Sequence, residues 1–340
     1  QDILAITFTK KAAGEMRDRL NTELRRWASL TDEALAGELR ARGLDAAEAI
    51  RRAPEARSLH ARVMAMGRVV QVRTFHSWFA ALLRGAPLSV LQELQLPVQY
   101  ELLEDDALAI AQVWPRFYAA LTRDPDARQD FMDSVAVHGR HQTLEALKKA
   151  LQKRVEFALA DAAGVVEASV EPFGARYPAL GDLALPELAL LQPQARSRWH
   201  ARAQALGTEA NKTPKDSAAK VIDAFELPDE AGFMPQRLAM LRKAFLVADE
   251  DRLNSRLAKY EPAQAAEAEL VELCGAVRQH KAWSHHQRMS RLARVLLASF
   301  AAFKRERGWV DMNDVEGAAR RLLADAELSG WLQQRLDARV

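Results

Sequence analysis

Thr7-Phe8-Thr9-Lys10 places two hydroxyls, one aromatic ring and one ammonium on four consecutive residues, with Lys11 adding a second cation. That set suits a grip on a nucleic-acid strand. Hydroxyls donate to phosphate oxygens, lysine neutralises their charge, and a phenyl ring stacks on any base for about 1–3 kcal/mol. The competing reading is a helix capped by threonine with Phe8 in the core. A second polar junction, Thr74-Phe75-His76-Ser77, repeats the pattern, and His76 reads equally as a polar cap satisfied by backbone. Asp311 and Asp314 form a third candidate group, as a helix cap and a first-turn carboxylate opposing the macrodipole or in a functional role.

These residues need strand ends and helix starts to position them. Ile3-Leu4-Ala5-Ile6 reads as a short buried strand, and Ala13, Met16, Leu20, Leu24 and Trp27 give the stripe of a packed helix through residue 28. A strand ending where a helix begins leaves free N–H groups at one rim, where a phosphodiester can be held. Helices are expected over 32–42, 45–53 and 55–66, a second core strand over Val69–Phe75, and a helix over Ser77–Arg84 ended by Gly85 and Pro87. Val98–Leu103 reads as a last strand before an acidic helix start at Glu104-Asp105-Asp106. Helical spacing then recurs at 107–121, where Pro115 kinks or breaks it, and at 143–160, 187–206, 216–226 and 235–253. From Pro262 to Arg307 the only breaker is Gly275, which predicts one very long helix or two end to end. Leu270, Leu273, Val277, Leu292, Val295, Leu296, Phe300 and Phe303 form its apolar stripe.

The chain has 340 residues, nearly half of them hydrophobic, which is ample for one large domain or two ordinary ones. Its net charge of +2 hides an uneven distribution: residues 10–84 carry 15 Lys/Arg against 9 Asp/Glu, 85–133 carry 3 against 9, and 278–309 carry 8 against 1. Two basic zones around an acidic one suit a polyanion track, although charged runs are also ordinary solvated faces. Cys274 is the single cysteine, so no internal disulfide forms, and a reducing cytoplasm is the expected compartment. No Cys/His set has zinc spacing; His138 with His141, and His280 with His285 and His286, lack a third ligand. No apolar run approaches the roughly 20 residues of a membrane span. Gln1 directly before a strand reads as a cut through a longer chain.

The three motifs share an order with a known family. Thr7–Met16 resembles motif Ia of UvrD/RecB-like DNA helicases. Thr74–Arg84 resembles the TFHSFC-x-x-LL element that follows it, and Gly308–Val315 with Ala318–Leu323 resembles the LDFDDL element before the Walker B strand. The resemblance implies a mainly α fold with a small parallel α/β part: a partial RecA-like (P-loop NTPase) domain 1A over 1–100, a helical 1B-type insertion over 101–300, and a return to domain 1A over 301–340. It implies single-strand contacts at Thr7, Phe8, Thr9, Lys10, Thr74 and His76, with Trp78 and Phe79 packing behind. Lys10 stands where the common form has asparagine. The long spacer between the first two motifs, the Leu83–Leu88 segment and the insertion look most like the AddA/RecB branch of helicase–nucleases, which implies a bacterial, cytoplasmic protein working with an AddB/RecC-like partner on duplex ends.

A motor of this class needs ATP and Mg²⁺ held by a loop ending in Gly-Lys-Ser/Thr, and the sequence has no Gly-Lys dipeptide. Ala244–Glu250 imitates a Walker B strand, yet Leu238, Leu241, Phe245 and Ala248 follow helical spacing and Arg252 replaces the expected glutamine, so a helix is expected there. The expectation is an internal piece lying between Walker A and Walker B. It would contribute DNA contacts to an ATP-dependent 3′-to-5′ helicase in DNA-end resection and double-strand-break repair, without ATPase activity of its own. The competing class is a non-enzymatic helical interaction or DNA-binding module that docks a partner.

Overall fold

The computed structural model describes residues 5–65, 72–93, 96–97, 99–103, 105–248, 250–326 and 330. In chain order its elements begin with β1 (Ala5–Thr7), α1 (Lys10–Ser29), α2 (Asp32–Ala41), α3 (Ala46–Ala65), β2 (Val72–Thr74), α4 (Phe75–Gly85), α5 (Leu88–Glu93), β3 (Glu101–Leu103) and α6 (Ala107–Gln112). There follow α7 (Trp114–Arg123), α8 (Pro125–His138), α9 (Arg140–Gln152), α10 (Arg154–Ala162), α11 (Val165–Ala168), α12 (Phe173–Arg176), α13 (Pro193–Gly207), α14 (Lys212–Glu226) and α15 (Met234–Phe245). The 47-residue α16 (Glu261–Arg307), β4 (Trp309–Asp311) and α17 (Met312–Ala324) complete the chain. The protein is thus mainly helical with two small parallel strand pairs. The chain divides into two compact units, residues 1–111 with 301–340, and residues 112–300. No described helix is long and apolar enough to cross a membrane.

In the first unit β1 pairs with β2 in parallel, Ala5 opposite Val72 and Thr7 opposite Thr74, and β3 pairs with β4, Glu101 opposite Trp309 and Leu103 opposite Asp311. One core joins α4, α5, β4 and α17 through Trp78, Leu83, Leu91, Val310, Val315 and Leu322. A second lies under α2 and α3, where Leu35, Leu39, Ala49, Ala53 and Ala56 interlock with Trp27 of α1. Among the described residues of the second unit the regular elements are helices and one isolated bridge, and a core is built on α13 to α16 around Trp199, Phe225, Leu241, Phe245 and Leu270.

Several elements differ from the sequence expectation, each for a local reason. Pro54 does not divide 45–53 from 55–66: α3 runs through it, because the ring removes only the bond to the Ile50 carbonyl while the buried alanine face keeps its packing on α2. Helix α4 starts at Phe75, two residues before the expected start, since the Thr74 side chain accepts from Ser77 N and caps the first turn. Strand expectations over 3–4, 69–71 and 98 lie outside the described residues. Helix α8 carries no apolar stripe and was not expected; Asp124 caps it and Pro125 opens it, while Asp130 and Ser134 are buried on its inner side. Helix α15 stops at Phe245, and Leu246 turns into an antiparallel bridge with Leu253 whose N–H is taken by Glu267. The helix expected to continue to 253 therefore gives way to a tight hairpin.

Candidate nucleic-acid interface

The parallel register of β1 and β2 sets Thr7 level with Thr74, so both strand-to-helix junctions open on the same rim. Each helix start is capped by threonine. Thr9 Oγ1 accepts from Ala12 N at 3.1 Å, and Thr74 Oγ1 accepts from Ser77 N at 3.1 Å. Neither α1 nor α4 has an acidic residue in its first turn, whereas α2 has Asp32 and Glu33 and α17 has Asp314. The α1 macrodipole end is thus left without a carboxylate, the electrostatic condition for holding an anion, whereas Glu316 of α17 reaches the first turn of α4.

Phe8 lies outside the core: it is 79% exposed, the largest exposure among the big hydrophobic side chains of the described residues. Its ring meets Phe75 at 5.2 Å between centroids, Phe75 meets Phe79 at 6.1 Å, and Phe79 meets the buried Trp78 at 5.4 Å. A file of four rings therefore runs from solvent into the core. Leaving a phenyl ring in water forgoes about 1.5–3 kcal/mol of burial, so this exposed end is a costly feature for a purely structural residue. The role of Phe75 as the ring beneath Phe8 was not assigned from sequence, although the repeated Thr-Phe dipeptide announces it.

The remaining candidates separate by exposure. Thr9 and Lys10 are exposed and Thr7 is half-buried at the strand end. The Thr9 hydroxyl accepts from the helix and keeps its own proton to donate outward. Thr74 is buried, and its hydroxyl both accepts from Ser77 N and donates to Ser77 Oγ at 3.0 Å, so it holds the turn. His76 is not satisfied by backbone. Its Nε2 lies 2.9 Å from Glu316 of α17, a partner with no sequence signal, which leaves Nδ1 as the ring atom for a further ligand.

Asp311 caps α17 in a reciprocal box, with Asp314 N donating to Asp311 Oδ1 and Asp311 N donating to Asp314 Oδ2, each at 3.0 Å. Between them lies Lys304 of α16, buried and ion-paired to both carboxylates.

Charge pairing changes the meaning of the second basic zone. Arg278 binds Asp251, Arg288 binds Asp133, Arg291 binds Asp130, and Arg294 binds Asp161 through two hydrogen bonds of 2.9 and 2.6 Å. The acidic residues of α8 and α10 neutralise this face of α16 in place of a polyanion. The guanidinium of Arg294 holds the Asp161 carboxyl below its ordinary value. The histidines also regroup: His138 of α8 meets His285 of α16 at 4.0 Å between rings, while His286 faces the Val166 carbonyl and Ser169. No group of three or more potential metal ligands occurs among the described residues.

The UvrD/REP helicase N-terminal domain family matches residues 1–339. No curated relative matches the chain.

Proposed function

We propose that this chain, which belongs to the UvrD/REP helicase N-terminal domain family, supplies the single-strand grip of an ATP-dependent DNA helicase. The observation that carries the reading is the exposed Phe8 ring at the rim where two helix starts stand level, that of α1 without a carboxylate. In it a base stacks on Phe8. Its flanking phosphates take the Thr7 and Thr9 hydroxyls, Lys10 and the first-turn N–H groups, while His76 adds a contact through Nδ1 and Thr74 secures α4 beneath it. Stacking and backbone contacts tolerate any base sequence, as a translocating motor requires.

The unit of residues 1–111 with 301–340 is read as part of a RecA-like domain 1A, and residues 112–300 as a 1B-type insertion. The family implies ATP with Mg²⁺. The residues present do not fit that group: the sequence has no Gly-Lys dipeptide, and Glu250 of the Walker B imitation is paired with Arg252 beside a hairpin. We therefore place ATP turnover outside these residues. A helical hairpin of α2 and α3 between the junctions and a large helical insertion support an AddA/RecB-type assignment. That assignment carries with it 3′-to-5′ polarity, a helicase–nuclease parent in DNA-end resection and recombinational repair, an AddB/RecC-like partner and a bacterial cytoplasm.

Phe8→Ala tests the grip. It is expected to weaken binding of a thymidine oligonucleotide by about 1–3 kcal/mol while leaving the salt dependence unchanged, because a stack and no phosphate contact is removed. Unchanged affinity, measured by fluorescence anisotropy across a salt series, would sink the reading.

A further inference from the structure

Most arginines of the second unit are committed to carboxylates, which makes one group of cations conspicuous. An open pocket of about 520 Å³ lies between the start of α14 and the turn that precedes α16. Lys212, Arg256 and Lys259 line it, no Asp or Glu does, and among the described residues no carboxylate pairs with any of the three. Each wall supplies a hydroxyl beside a cation: Lys212 with Thr213 on one side, Ser255 with Arg256 on the other.

The framework behind these groups is fixed. Tyr260 is buried and its hydroxyl accepts from Asn211 Nδ2 at 2.8 Å, tying the two walls together. Lys259 lies over the Tyr260 ring at 5.0 Å, and Asn254 caps the turn by accepting from Arg256 N at 3.1 Å. Asn211, at the cap position of the 15-residue α14, makes no side-chain bond to that helix, so the N–H groups of its first turn add to the positive potential.

We propose that this pocket binds a backbone phosphate of DNA, as a second contact on the insertion unit separate from the junction of β1 and β2. Three cations, two hydroxyls and no carboxylate select a phosphate oxyanion. A nucleoside triphosphate arrives with Mg²⁺, which calls for oxygen ligands such as carboxylates that these walls lack. No exposed aromatic face lines the pocket to hold a base, so recognition is of the backbone alone. The choice of DNA rests on the proposed function; the choice of phosphate does not.

The test uses the whole chain and a duplex carrying a single-stranded tail, with inorganic phosphate as a second probe. The triple variant Lys212→Gln, Arg256→Gln, Lys259→Gln is expected to bind the tailed duplex roughly tenfold more weakly at low salt. The slope of log affinity against log salt should fall in magnitude by about 1. Phe8→Ala should weaken binding with an unchanged slope. Arg256→Lys, which keeps the charge, should keep the slope, and all three side chains are exposed, so the melting temperature should hold. An unchanged slope and affinity in the triple variant overturn the pocket while leaving the single-strand grip intact. A smaller slope there with no effect of Phe8→Ala supports the pocket and removes the grip. Loss of inorganic phosphate binding with the duplex slope unchanged overturns DNA as the ligand.

Discussion

Lys304 shows how much one residue can carry. Its ammonium is buried between Asp311 and Asp314, and those two carboxylates are also the capping box that starts α17. Lys304→Met is expected to leave Asp311 buried without its cation and to cost about 3–5 kcal/mol in urea unfolding. Asp311→Asn should cost less, because an amide oxygen still accepts from Asp314 N. Equal losses in the two variants would contradict this ordering, since Asp311→Asn leaves Lys304 paired with Asp314. The capping role of Asp311 was legible in the sequence from its place before an amphipathic run. Lys304 was not, since nothing in sequence says that a lysine seven residues upstream folds back onto it.

At the scale of elements, legibility followed apolar periodicity. Helix α16 was readable because its stripe recurs with only Gly275 as a breaker, and α8 was not, because two of the three buried residues of its inner face are Asp130 and Ser134. That face makes sense only once Arg291 of α16 is opposite it, a contact made across the fold. The same helix pair brings His285 against His138. Burial first, then His138, Arg288 and His286, pushes the His285 imidazole below its ordinary value of 6.5. A base depressed in the fold binds its proton more readily when unfolded, so its contribution is full above about pH 6.5 and is lost as pH falls toward the folded value. The urea midpoint is therefore expected to drop between about pH 7 and pH 5, and His285→Gln should flatten that change. Asp130 and Asp133 face Arg288 and moderate its repulsion. A wild-type profile that stays level over this window would contradict the assignment.

For the molecule as a whole, much of the second basic zone of the sequence proved to be a pairing scheme. In the first unit Arg26 and then Arg42 hold the Glu38 carboxyl down at about 2. In the second, Arg294 lowers Asp161, and Arg237, then Arg196, lowers Asp229. Depressed carboxyls stabilise the fold above their ordinary values near 4 and lose that contribution as pH falls through the folded ones. Thermal unfolding should therefore shift to lower temperature as pH falls from about 4.5 toward about 2. Added salt should shrink the shift, because these pairs are solvent-accessible and screened. A sequence counts charges but cannot match them, and the zones lacked meaning until α8, α10 and α16 were folded together. The exposed Phe8 was equally undecidable, because core and rim phenylalanines look alike in a string.

The pairing of β3 with β4 has a consequence for how such a chain can diverge. Two parallel strands need a crossover of only about a dozen residues, and here the crossover contains the whole of residues 112–300. The strand register at Glu101 and Trp309 sets no upper limit on the length of that connection. Residues 112–300 can thus be lengthened, shortened or resurfaced by insertion and deletion while β3 and β4 keep their pairing.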